Sequence, residues 1–185
     1  MQKSLLIPIF TLLLLMGGCT PKRYYTLGNN LDITQKITYR KPIDVVTVNV
    51  PKYLQDLILV RQITPYQVEL LDKARWLTPM KKRLTNVLIN YLQKSLNNPN
   101  VHLYPWNANR KADKRVEVTI KRFIAYKDKV YLDADYKIYD YNTKKSITKL
   151  FSTKVETDKK IDSMMESMEK AYQQLLEEIK TEIVK

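Results

Sequence analysis

The sequence holds a single cysteine, Cys19, and a single histidine, His102. A histidine-held zinc ion or a Ser-His-Asp triad would therefore rest on His102 alone. That residue sits in Val101-His102-Leu103-Tyr104, a short run with strand character, where an outward-facing or hydrogen-bonded structural histidine is the simpler account. Asp133 and Asp135 are paired carboxylates, but two positions apart on a strand they share one face, and Leu132, Ala134 and Tyr136 form the other. They read as the wet side of a half-buried strand rather than as an acid and a base. Glycine occurs three times, at 17, 18 and 28, so no glycine-rich loop can cradle a phosphate. There is no Gly-x-Ser-x-Gly elbow either. The spacing describes no catalyst, and neither a metal nor a cofactor is expected.

The chemistry that remains belongs to Cys19. Met1-Gln2-Lys3 is a short basic start, Leu5 to Met16 is almost wholly apolar, and Gly17-Gly18 are small residues directly before the cysteine. A basic start, an apolar run and small residues at a cut site make a secretory signal. The apolar run is about a dozen residues, short of the roughly 20 that a helix needs to span hydrocarbon. Met16-Gly17-Gly18-Cys19 resembles the lipobox of bacterial lipoproteins, with Met16 where leucine is usual. The resemblance implies that the cysteine is lipidated and the chain cut just before it. Residues 1–18 are then the signal peptide, 19–22 a lipidated N-terminus and short tether, and 23–185 a single periplasmic domain. Thr20, which is not the aspartate that retains such proteins at an inner membrane, favours the outer membrane.

The 167 residues after the signal (185 less 18) are the size of one ordinary domain and can bury enough surface to fold. They must do so without disulfides, because no cysteine pair exists. The formal charge is +13, of which only Lys3 lies in the signal. Export removes nucleic acid as the counterpart of that charge and leaves anionic lipid head groups, an acidic partner face, or plain solvated surface.

The elements follow from periodicity. Arg23 to Leu27 reads as a first strand, residues 28–42 as a loop, and Val45 to Val50 as a strand ended by Pro51. Leu57–Val60 and Tyr66–Leu70 flank Thr64-Pro65 as a hairpin or bent connection at an edge. Thr78-Pro79 opens a helix, with Thr78 as its cap, whose stripe is Met80, Leu84, Val87, Leu88, Tyr91, Leu92 and Leu96; Asn97-Asn98-Pro99-Asn100 stops it. Three alternating strands follow, turning at Tyr126–Lys129 and at Tyr141–Lys144. A second helix, with Asp158 or Asp162 placed to cap it, carries Ile161, Met164, Met165, Met168, Tyr172, Leu175, Leu176, Ile179 and Ile183; the methionines read as core filler. The expected fold class is α+β, an antiparallel sheet with two amphipathic helices packed on one face.

Tyr24-Tyr25-Thr26-Leu27, Val48-Asn49-Val50-Pro51-Lys52-Tyr53-Leu54, Leu59-Val60-Arg61 and Arg75-Trp76 occur in this order and spacing. Together they resemble the ABC-type transport auxiliary lipoprotein family over nearly the whole mature chain. The family's acidic-proline pair after the tryptophan is replaced by Leu77-Thr78-Pro79, and its Arg-Pro by Gln55-Asp56, which bears on subfamily and partner rather than fold. The resemblance implies a non-enzymatic component of an envelope phospholipid-transport system, facing the periplasm and meeting an MCE-domain protein. It marks Pro51, Tyr53, Leu54, Arg61 and Trp76 as a docking patch. Their alternative is structural: Leu54 and Trp76 covering an open end of the sheet, Pro51 ending a strand.

Two other functions stay open. One is a structural or assembly lipoprotein of another outer-membrane complex. The other is phospholipid or glycan binding on Tyr126, Tyr131, Tyr136, Tyr139 and Tyr141. Homo-oligomerisation is also open. Replacing Cys19→Ser is expected to abolish palmitate labelling and release the protein to the soluble periplasmic fraction; a variant that stays with the membranes would contradict the lipobox reading.

Overall fold

The computed structural model describes residues 21–33, 37–106 and 111–185. They form eight strands: β1 (Arg23–Tyr25), β2 (Ile43–Val45), β3 (Ile58–Thr64), β4 (Gln67–Trp76), β5 (Val101–Leu103), β6 (Lys114–Tyr126), β7 (Lys129–Asp140) and β8 (Lys145–Glu156). Two α-helices, α1 (Met80–Ser95) and α2 (Ile161–Ile183), complete the α+β fold.

The frame is the meander β6–β7–β8. Val116, Val118 and Ile120 of β6 face the same side as Leu132, Ala134, Tyr136 and Ile138 of β7, because Val116 pairs Ile138 and Ile120 pairs Ala134. Those seven side chains are buried. Period-two alternation is thus the cause of the packed face. A register shift between Ile120 and Arg122 adds one residue to β6, after which Phe123 takes the inward side. The hydroxyl of Tyr53 accepts the Phe123 N–H at 2.8 Å, supplying a partner beside the bulge.

One edge of β6 pairs with β7 along its length. The other edge is divided. β2 runs parallel to its start, an isolated bridge joins Asn49 to Thr119, and β3 meets its end at Gln62–Tyr126. β4 pairs antiparallel with β3, and β1 lies parallel to β4 with Arg23 beside Ala74. The sheet is therefore mixed, with long antiparallel ladders and short parallel edges. The parallel partners are strands that return after a crossover, as β5 does when α1 brings the chain back beside β2. β2 is also shorter than the run Val45–Val50 implied. Past Val45 the chain leaves the ladder, and the Val48 N–H goes to the hydroxyl of buried Thr85 on α1 at 2.9 Å.

Both helices lie on the packed face. α2 crosses β7, β8 and β6 and touches α1. The Tyr172 hydroxyl donates to the Leu84 carbonyl at 2.9 Å across that helix contact. Met164, Met165 and Met168 are buried core, as their place in the stripe implied. The helix caps differ from expectation. Pro79, not Thr78, is the cap residue of α1, and it makes no side-chain cap bond; its carbonyl receives the Arg83 N–H. Lys160 takes that place on α2, while Asp158 holds the preceding turn by accepting the Lys160 N–H at 2.6 Å. The stop of α1 follows the sequence: Asn97 adopts a positive φ of 46°, and the N–H groups of Asn97 and Asn98 return to the carbonyls of Lys94 and Gln93.

Gly28, the one glycine among the described residues, has φ +81°, and a Cβ there would lie 2.3 Å from Cγ2 of Val87 on α1. Positive φ and lack of room act together. Gly28→Ala is expected to destabilise the domain by about 3 kcal/mol, the sum of left-handed strain and overpacking. Urea unfolding measures it, and an unchanged midpoint would contradict this packing.

Candidate functional site

Cys19 lies outside the described residues. The five residues of the sequence-derived docking patch are not brought together on one surface. Leu54 and Trp76 are each 2 % exposed and belong to the core. Trp76 sits at the β1–β4 edge beside Tyr25 and Leu54 in the turn that contacts β3, so packing accounts for both, the structural alternative named for them. Pro51 ends the irregular segment after β2, and its carbonyl receives the Leu54 N–H of a single 3-10 turn. Tyr53 is half-buried with its hydroxyl committed to Phe123, and burial raises that hydroxyl's pKa. Arg61 pairs with Glu69 at 2.6 Å across the hairpin and donates to the Lys159 carbonyl at 3.2 Å. Pro51, Tyr53 and Arg61 keep some accessible surface.

Asp133 and Asp135 lie on the wet face, as expected. Asp133 accepts from Ser152, and Asp135 pairs with Lys121. The tyrosine platform is split. Tyr136 is fully buried and donates to Glu178 at 2.8 Å, so it leaves that set, because its even-numbered place on β7 turns it to the core. Tyr131 faces the other way, with the Arg122 guanidinium 4.0 Å from its ring centre.

The most developed concavity was not legible beforehand. Strand register lines up His102 of β5, Asp44 of β2, Arg115 of β6 and Tyr139 of β7 as cross-strand neighbours on the wet face. The Arg115 guanidinium lies 5.2, 5.8 and 5.6 Å from the ring centres of Tyr104, Tyr139 and Tyr141. That geometry is a cation held by ring faces. Trp106 stacks on His102 at 3.8 Å, which gives the lone histidine a structural role. Around this row opens a cleft of about 710 Å³, lined by Asp44, Tyr104, Trp106, Lys111, Tyr141 and Asn142 among others. Burial raises the Asp44 carboxyl pKa against the pull of Arg115.

Beneath the cleft sits a polar knot. Asp113, 8 % exposed, accepts from the Tyr39 hydroxyl, from the Asn142 amide at 2.5 Å and from Lys41 at 3.3 Å. Its own N–H goes to the Pro42 carbonyl, and its carbonyl receives the Tyr141 N–H. One side chain therefore ties the loop before β2, the start of β6 and the β7–β8 turn. Burial works to raise the Asp113 pKa, but the bonds from Tyr39, Asn142 and Lys41 outweigh it and leave it below the ordinary carboxylate value. Among the described residues no group of three or more His, Cys, Asp or Glu side chains comes together to hold a metal, and no helix is long and apolar enough to cross a membrane.

A depressed native pKa stabilises the fold above the unfolded carboxylate pKa of about 3.9, and that stability is lost as pH falls through the lower native value. Asp113→Asn is expected to cost roughly 2 kcal/mol at neutral pH, the scale of hydrogen bonds to a charged group. It should also flatten the acid limb of the stability curve. Urea midpoints between neutral pH and acid check both, and a variant with the wild-type acid limb would contradict the role given to the knot.

A family model described as the ABC-type transport auxiliary lipoprotein component matches residues 25–180. Among solved structures, that of an uncharacterized protein superposes with a TM-score of 0.70 at 22 % identity, covering 88 % of this chain and 99 % of that one. A protein from Xanthomonas campestris gives a TM-score of 0.68 at 11 % identity, covering 85 % and 92 %. At such identities the likeness is one of fold. None of the curated proteins compared with the chain matches it.

Proposed function

The chain belongs to the ABC-type transport auxiliary lipoprotein component family, and on that premise we propose that it is a non-enzymatic, lipid-anchored periplasmic component of an MCE-type phospholipid transport system. The observation that carries this reading is the family match over residues 25–180, preceded in the same chain by a basic, apolar, Gly-Gly-Cys leader. The fold offers surfaces suited to holding a partner: an aromatic cleft and a rigid polar knot behind it. Beside Asp44 on the neighbouring strand, His102 is held by its stack on Trp106.

In this proposal Cys19 carries the lipid in the outer membrane, and the domain receives the far end of an MCE-domain protein. Of the five residues marked for docking, Pro51, Tyr53 and Arg61 are those with surface left to offer. Leu54 and Trp76 act behind them by fixing the turn and the sheet edge. The second reading, an assembly lipoprotein of another outer-membrane complex, shares the anchor and differs in the partner.

The domain made from residue 20 onward contains the whole core, Leu27 to Ile183, and is the form to use. It should co-purify in mild salt with the periplasmic part of the MCE protein encoded beside it. Reversal of charge by Arg61→Glu should weaken that capture several-fold. No capture of the neighbouring MCE protein by a folded domain would overturn the transport assignment.

A further inference from the structure

The chain reaches β1 from a defined direction. β1 begins at Arg23, four residues after Cys19, and runs parallel to β4 with Arg23 beside Ala74. Going backward along β1 is therefore going backward along β4, toward Gln67 and the tip of the β3–β4 hairpin. Four residues span at most roughly 14 Å, and β4 carries three extra residues between the Ile58–Arg75 and Val60–Leu70 pairs, so the ladder from Ala74 to the tip advances roughly 17–20 Å. The hairpin tip thus lies at least as far in that direction as a four-residue link to Arg23 is long.

The tip has the composition of something that leaves water. Gln62-Ile63-Thr64-Pro65-Tyr66-Gln67-Val68 contains no charged residue in a chain that is 28 % charged. Tyr66 is 99 % exposed, Val68 and Leu70 are 53 % exposed, and Ile63 is 48 % exposed. Val68 and Leu70 share a face of β4, opposite Gln62 and Val60 of β3, and no helix covers them. Large apolar side chains gathered on one protrusion mark a surface made for contact. A tyrosine with an apolar ring and a polar hydroxyl suits the boundary between head groups and acyl chains. Exposed Lys127, Lys159 and Lys160 stand at the same end, since Gln62 of β3 meets Tyr126 at the end of β6 and Arg61 reaches the Lys159 carbonyl. Exposed Asp128 and Asp158 stand among them, so the three lysines leave a small net positive charge toward anionic head groups.

We propose that the tip of the β3–β4 hairpin, Ile63 to Val68, dips into the same bilayer that holds the lipid on Cys19 and so fixes the orientation of the domain. The proposal rests on the lipid-anchor reading. A flexible tether alone leaves the domain free to tumble. A second contact at the hairpin tip holds the sheet upright and turns the Arg115 cleft, at the opposite end of β6, away from the membrane.

The test uses the acylated protein purified from envelopes, where the Cys19 sulfur is a thioether, so a cysteine placed by Tyr66→Cys is the one free thiol. An environment-sensitive fluorophore is attached there, or at Thr143→Cys in the β7–β8 turn at the other end, and the protein is reconstituted into vesicles of phosphatidylethanolamine and phosphatidylglycerol. The expected result is a blue-shifted, brighter emission at position 66 that lipid-borne nitroxides quench, and a water-like emission at 143. If both probes stay water-like while the protein floats with the vesicles, the tether stands and the hairpin contact is wrong. If the protein does not float at all, the anchor reading fails and this contact with it. A blue shift at position 66 that is present without vesicles and fades on dilution would assign the tip to a second copy of the chain, overturning the membrane contact.

Discussion

The short parallel pairing of β1 with β4 decides more than its three residues would suggest. It sets where the chain enters the sheet, with Arg23 beside Ala74, Tyr25 beside the buried Trp76, and the Leu77 N–H closing on the Tyr25 carbonyl at 2.8 Å. Because a parallel pair shares its direction, the start of β1 points toward the hairpin-tip end of the sheet. The Asp113 knot and the aromatic cleft are at the other, separated by the length of β6. The molecule is thereby polar along its long axis, with an uncharged protrusion at one end and a cation–π cleft at the other.

What was legible in the sequence is what local periodicity encodes. The inward residues of β7 alternate without a break, the stripe of α2 runs to Ile183, and the asparagines after α1 mark its stop. These signals are strong because one buried face imposes them. Where burial was shared among distant segments, the local pattern misled. Val46 to Val50 has strand composition, but its N–H groups are met by β6 carbonyls and the Thr85 hydroxyl in turn, so the ladder stops at Val45. The bulge in β6 depends on Tyr53, 70 residues away, and has no sequence signature of its own.

The same reasoning separates the site residues. Leu54 and Trp76 belong to recurrent blocks, and such blocks mix core with surface; only packing tells that these two are inside. The Arg115 row and the Asp113 knot were invisible because their members come from four strands and three connecting segments. Tyr39 and Asp113 are 74 positions apart, and Asp113 and Asn142 are 29 apart. The hairpin tip was readable as a turn, yet its exposure past the end of the β1–β4 pairing came from register.

The account stands on a cysteine converted into the membrane foot of this domain. The direct measurement is the intact mass and N-terminal fragmentation of the native protein extracted from envelopes. The predicted species starts at Cys19 and carries a diacylglyceryl group on its sulfur. A mature chain that starts at any other residue, or an unmodified Cys19, would contradict it.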